Sequence, residues 1–453
     1  MQDLTTGPVT RHLLKTTGFM LVTMVFQTLY FLIDLYWVGR LGTEAVAAVG
    51  VAGNLSFIVL ALTQMLGVGT TTVVSHAVGR KDHARAAMLF NQSQVLTMIA
   101  GGVFLVLGLA VRSSYSAAMG ADEVTARLSD EYLLWFIPAL ALQFLLVAMG
   151  SALRATGNFK PGMIVSTASI IINMVLAPFL IFGWGTGRPL GVAGAAVSSL
   201  IAIVVAAVWF TSYFFRKNSY LTFDVSLWSP KLAEWRRMLA IGLPSGFEFG
   251  MMAVYLGVVY AITRPFGAAA QAGFGIGQRI VQAGFMPVVA LGFAVAPVAG
   301  QNFGAHLPDR VRATFKDASL MAIAVMVLFA MASHIAPAAL VGIFTTDPAV
   351  ISVGVEYLRI VSWNYVASGL IFVASSMFQA MGNTMPSLIA SAVRILLIAV
   401  PATALSRMPD FQLRTIWYIS VGAVLVQFAL AMYLLSREFR TRLPVEIQPV
   451  PAT

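Results

Sequence analysis

Hydrophobic residues along this chain come in runs of about 20, the length a helix needs to cross a bilayer, separated by short polar breaks. Twelve such runs lie near 14–39, 46–77, 88–112, 129–153, 162–183, 190–215, 238–262, 270–300, 315–338, 352–379, 387–406 and 415–436. They do not alternate apolar and polar residues, as strands of a membrane β-barrel would. The pattern predicts an all-α polytopic membrane protein with 12 transmembrane helices.

The same pattern is written twice. Ser151, Ala155, Gly157, Asn158 and Pro161 recur 225 residues later as Ser376, Ala380, Gly382, Asn383 and Pro386. Gly42, Gly67, Gly79, Arg85 and Phe90 meet Gly267, Gly292, Gly304, Arg310 and Phe315 at that offset. Six spans per copy is an even number, so both copies enter the membrane in one orientation and form two parallel six-helix repeats. The expected organisation is an N-terminal lobe at residues 1–215, a basic cytoplasmic linker at 216–237, a C-terminal lobe at 238–442 and a disordered tail at 443–453.

Charge adds the topology. Of 453 residues, 59% are hydrophobic and 10% charged, and the net charge is +10. Arg11 and Lys15 precede the first span, and Arg80, Lys81 and Arg85 follow the second. Arg154 and Lys160 follow the fourth, and Lys231, Arg236 and Arg237 precede the seventh. Alternate loops are therefore basic, which places both termini in the cytoplasm and explains the net charge without nucleic acid. There is no cysteine, which rules out disulfides and thiolate metal sites. No P-loop, HExxH or GxSxG motif is present, so the chain is not read as an enzyme.

An ionised side chain inside a span is costly and marks a functional site by default. Asp34 lies in the first span, with Thr23, Gln27 and Tyr30 before it at spacings of 4, 3 and 4. That spacing sets the four on one helical face. Ser166, Ser169 and Asn173 form a similar stripe on the fifth span, which lets Asn173 hydrogen-bond Asp34 across a cavity. Asp34 has no acidic counterpart in the second copy, where Val259 stands. Glu248 shares a face of the seventh span with Met252 and Tyr255, and Arg279 or Arg394 is available to pair with it. Prolines at 138, 178, 244, 287, 297 and 401 are candidate kinks.

Several separated stretches resemble the multidrug and toxic compound extrusion (MATE) family. They are IDLYWVGRLG around Asp34, GVGTTTVVSHAVGRKD, ALRATGNFKPGM, NMVLAPFLIFGWG after Asn173, GLPSGFEF, and MPVVALGFAVAPVAGQNFGA. The DinF-type branch is the nearer fit. The resemblance implies export by antiport with protons or sodium, with alternating access between two lobes and no bound cofactor. Asp34 and Asn173 become the cation-coupling site, with Asp34 the place for Na+. Gln27, Tyr30, Ser169, Glu248, Met252, Tyr255 and Arg394 become cavity residues. The implied substrate is a small cationic amphipathic molecule, and the protein is expected as a monomer in a bacterial inner membrane. Many relatives carry an acid where this chain has Ala177. The second reading is a lipid-linked oligosaccharide or lipid flippase of the same superfamily, for which Arg279 and Arg394 are the cations at hand.

Overall fold

The computed structural model describes residues 2–185, 187–215, 220–406, 408 and 411–443. These form α1 (Val9–Gly39), α2 (Thr43–Gly79), α3 (His83–Met119), α4 (Glu123–Ala155), α5 (Phe159–Phe182), α6 (Gly191–Phe214) and α7 (Leu232–Thr263). There follow α8 (Ala268–Gly304), α9 (Pro308–Ile335), the short α10 (Pro337–Gly342), α11 (Pro348–Val361), α12 (Tyr365–Met381), α13 (Met385–Leu405) and α14 (Leu413–Arg442). Among the described residues there is no strand, and twelve helical stretches are long and apolar enough to cross a membrane. The tenth is built from α11, a 3-10 turn at Ser362–Asn364, and α12.

The duplication reaches the backbone. Helix starts Thr43, His83 and Glu123 have counterparts at Ala268, Pro308 and Pro348, each 225 residues on. Gly157 and Gly382 both have a left-handed φ, 74° and 76°. Among the described residues only two non-glycines have positive φ, Lys81 at 59° and His306 at 57°, and they too are equivalent. Each sits just past a long helix, where a left-handed residue lets the chain turn back and cap the last carbonyls. Asp82 N–H meets Ala77 O at 3.0 Å, and Leu307 N–H meets Asn302 O at 3.0 Å. The recurring Gly67 and Ser151 face each other. A Cβ on Gly67 would lie 2.9 Å from Ser151 Oγ, and one on Gly292 would lie 2.7 Å from Ser376 Oγ. These residues recur because each repeat brings its second and fourth spans equally close.

The chain divides into two compact units. Among the described residues, unit 1 holds those of 2–3 and 18–246, and unit 2 those of 4–17 and 247–443. The boundary therefore falls inside α7, not in the linker expected at 216–237. Its cause is the pair Gly242 and Gly246, spaced as in the GxxxG helix-packing motif. A Cβ on Gly242 would strike the Met65 carbonyl of α2, and one on Gly246 would lie 3.0 Å from Met65 Cβ. Gly69 of α2 abuts the Met238 backbone in the same way. The start of α7 thus packs directly on α2 within unit 1. Residues 4–17 pack within unit 2, where Leu4 is fully buried. Leu4 N–H donates to Gln301 Oε1 at 3.1 Å, and Leu4 O accepts from Asn302 Nδ2 at 3.2 Å.

The expected linker is also held. Asn91 Nδ2 donates to Thr222 O at 3.0 Å, and Asn91 Oδ1 accepts from Asp224 N–H and Trp228 Nε1, both at 3.0 Å. Gln92 Nε2 donates to Leu227 O at 2.6 Å and Ser229 O at 2.8 Å. Two fully buried amides of α3 thus satisfy the backbone of a segment whose polar composition suggested a free connector. Residues 216–219 of that expectation lie outside the described residues. So does all of the expected tail except Leu443, which is buried and accepts a 2.6 Å hydrogen bond from Arg312.

The six candidate-kink prolines, at 138, 178, 244, 287, 297 and 401, all lie inside helices. Pro138 leaves α4 continuous, whereas its equivalent Trp363 lies in the turn that breaks the tenth span.

Candidate functional sites in the two units

In unit 1 the polar groups of α1, α5 and α6 meet. Tyr30 Oη lies 3.2 Å from Ser199 Oγ. Asn173 is buried and donates from Nδ2 to Ser199 Oγ at 3.0 Å and Ser198 Oγ at 3.3 Å. Ser169 donates to Ala202 O at 2.8 Å. Asp34 follows Tyr30 by one turn of α1. Two acceptors stand out here. Asp34 Oδ1 and Asn173 Oδ1 are both buried without a hydrogen-bond partner among the described residues. An orphaned acceptor of this kind costs about 1–3 kcal/mol, more when it carries charge.

The Asn173–Asp34 hydrogen bond expected from the sequence is not formed. The α6 serines, one turn from the Ala195 carbonyl that anchors both hydroxyls, take the Asn173 amide instead. Gln27 is exposed, and Thr23 turns back to its own helix at Phe19 O, 3.0 Å away. The α1 stripe therefore contributes Tyr30 and Asp34 to the cluster but neither Gln27 nor Thr23.

Unit 2 has a different centre. Glu248 on α7 faces three hydroxyls. Ser387 Oγ lies 3.1 and 3.0 Å from its two oxygens, Ser391 Oγ 3.0 Å from Oε1, and Ser375 Oγ 3.4 Å from Oε2. Among the described residues no arginine lies within 4.0 Å of it, so neutral donors take the place of the pairing open to Arg279 or Arg394. A short relay continues from Glu248. Gln427 Nε2 donates to Ser391 Oγ at 3.2 Å, and Gln427 Oε1 lies 3.5 Å from Arg394 Nη1. The Arg394 guanidinium stands over the Tyr255 ring, 5.2 Å from its centroid. Met252 is exposed and takes no part in these polar contacts.

The repeat makes the difference quantitative. Glu248 is equivalent to position 23 of the first copy, and Asp34 lies 11 residues further on. At 1.5 Å per residue, the acids of the two repeats differ in depth along equivalent helices by about 16 Å. Ser198, Ser199, Ser375, Ser387, Ser391 and Gln427 were not anticipated. One sign was available, since Ser387, Ser391 and Arg394 are spaced 4 and 3 on one face of α13.

A family model, MatE, matches residues 20–179 and 244–405, two segments that repeat the internal offset and together cover most of the chain. The chain belongs to the MatE family. The FAD transporter of Shewanella oneidensis is 26% identical over 414 residues, 90% of each chain. The multidrug export protein MepA of Staphylococcus aureus is 25% identical over 383 residues, 83% of each chain. Among solved structures, "Outward-facing conformation of a multidrug resistance MATE family transporter of the MOP superfamily" aligns over 98% of both chains with TM-score 0.90 and 23% identity. A transporter from Pyrococcus furiosus, described by "Reverse polarity of binding pocket suggests different function of a MOP superfamily transporter", has the same coverage and TM-score at 23% identity. The MATE fold read from the sequence therefore stands, and this MatE protein is a multi-pass membrane transporter and not an enzyme. The two MatE segments include Asp34, Asn173, Glu248 and Arg394.

Proposed function

We propose that the protein is a secondary active exporter of small organic molecules, driven by antiport with protons or sodium, with Asp34 as its coupling carboxylate. The observation that carries this reading is the pair of orphaned oxygens in unit 1, Asp34 Oδ1 and Asn173 Oδ1. A proton on Asp34 or a sodium ion beside it would relieve a buried acceptor that no protein donor reaches. Binding or loss of that cation would change the cost of keeping the cluster desolvated, which is the differential interaction needed to bias two conformations. The multidrug exporter MepA among its relatives supports a broad small-molecule substrate, which we take to be cationic and amphipathic. The alternating basic loops support cytoplasmic termini, and the bacterial relatives support a bacterial inner membrane as its location. We take the working unit to be a monomer, nearer to the DinF-type branch. A flippase for lipid-linked diphosphates is the weaker reading, because Arg279 is exposed and the Glu248 cluster offers a single guanidinium.

The first test is ethidium accumulation in a drug-sensitive host. Cells expressing the protein accumulate less dye than the host alone, and cells expressing Asp34→Asn at equal level accumulate as much as the host. Equal protection by both proteins would remove Asp34 from the coupling role.

A further inference from the structure

The strongest unexplained group is Arg394. It projects from a membrane-spanning helix, where a cation is retained only for pairing or function. No carboxylate lies within 4.0 Å of it among the described residues. Its Nε is buried with no partner. Among the described residues its one hydrogen bond is the 3.5 Å contact from Nη1 to Gln427, and the Tyr255 ring supplies only a face. A guanidinium has five donors in a planar fork suited to a carboxylate or phosphate, so most of that capacity is unused.

Glu248 is linked to Arg394 only through Ser391 and Gln427, and its carboxylate is committed elsewhere. Its oxygens accept from Ser375, Ser387 and Ser391, and the Ser391–Gln427 relay stands between it and Arg394. The first repeat shows that nothing architectural demands a cation here. The residue equivalent to Arg394 is Ser169, and that equivalent to Gln427 is Ala202. In unit 1 these two are joined by a plain Ser169–Ala202 O hydrogen bond of 2.8 Å. The scaffold therefore closes this contact between fifth and sixth spans without any charge.

We propose that Arg394, steadied by Tyr255 and Gln427, docks a carboxylate or phosphate on the transported molecule. The proposal rests on the export reading and narrows its substrate class. Zwitterions and organic acids are carried, the anionic end on Arg394, besides simple cations. The carboxylate cage at Glu248 then sits one relay away from the bound anion, on the same face of α13, and takes the cationic end of a zwitterion.

The test uses the full-length protein in detergent and two rhodamine probes that differ in one group, a cationic methyl ester and its zwitterionic free acid. Fluorescence anisotropy reads the affinity of each. The wild type binds the free acid at least as tightly as the ester, and excess benzoate displaces only the free acid. Arg394→Gln weakens the free acid about 10- to 100-fold, the loss of a charge-assisted hydrogen-bonded pair, and leaves the ester within about twofold. Arg394→Lys, which keeps the charge but not the fork, falls between them. If the wild type excludes the free acid, or benzoate competes with both probes alike, the proposal fails even when Arg394→Gln does not fold. Equal loss of both probes in a monodisperse Arg394→Gln protein would make Arg394 structural and also overturn it. Binding is measured without any gradient, so failure here leaves the antiport role of Asp34 standing. Loss of gradient-driven export leaves this site standing.

Discussion

Replacing Asn173 by alanine separates a residue kept for stability from one kept for transport. Its amide nitrogen makes two hydrogen bonds, to Ser199 at 3.0 Å and Ser198 at 3.3 Å. At about 0.5–1.5 kcal/mol each, their loss costs roughly 1–3 kcal/mol. The same substitution removes Asn173 Oδ1, buried with no donor, and so relieves about 1–3 kcal/mol of desolvation. Alanine also suits a helix interior better than asparagine by a few tenths of a kcal/mol. The contributions nearly cancel. Asn173→Ala is expected to unfold within about 1 kcal/mol of the wild type, a few degrees in a thermal melt of the detergent-solubilised protein. Dye export by the same preparation, reconstituted, is expected to fall close to background. A melt lowered by more than about 2 kcal/mol, with normal export by the surviving protein, would show Asn173 to be a structural tie with no part in transport.

Gly69→Ala places a Cβ against the backbone of Met238, 3.0 Å from its carbonyl carbon and 3.2 Å from its Cα. Neither atom can rotate away, so a destabilisation of about 1–3 kcal/mol is expected in the thermal melt, whereas Gly50→Ala, with open space around it, is expected to stabilise by about 0.5–1 kcal/mol through helix propensity. Asp122 caps α4 by accepting from Thr125 N–H at 2.7 Å, which holds its carboxyl below the usual carboxylate range. Because the folded value is depressed, the cap's contribution is present above the ordinary carboxylate range and is lost as pH falls through the folded value. Asp122→Ser keeps a cap without that titration, so melts of the two proteins against pH should diverge only on acidification.

The spans were legible because twelve apolar runs separated by polar breaks admit one reading in a bilayer. Most helices nevertheless extend past their apolar runs at one end or both, as α3 does from His83 rather than residue 88, where Asp82 caps it, whereas α6 stays within its run. The duplication was legible residue by residue, and the structure supplies its reasons in Gly67 facing Ser151 and in the left-handed Gly157. The unit boundary was not legible, because a polar stretch between apolar runs looks like a linker whether or not buried amides hold it. Asn91 and Gln92 sit inside an apolar run and carry no local sign of their partners more than 130 residues away. Asp34 and Glu248 were conspicuous as charges in the membrane. Their surroundings were not, since serines on α6 and α13 are common in membrane helices and gain meaning only from the packing that aims them.

Purified protein in liposomes shows whether the orphaned carboxylate of Asp34 couples export to a cation gradient. Proteoliposomes loaded with a cationic dye are given a pH gradient or a sodium gradient, one at a time. The wild type should release dye when at least one of these is imposed and not when both are absent, and Asp34→Asn should release none under either. Gradient-dependent release by Asp34→Asn equal to that of the wild type would contradict the account.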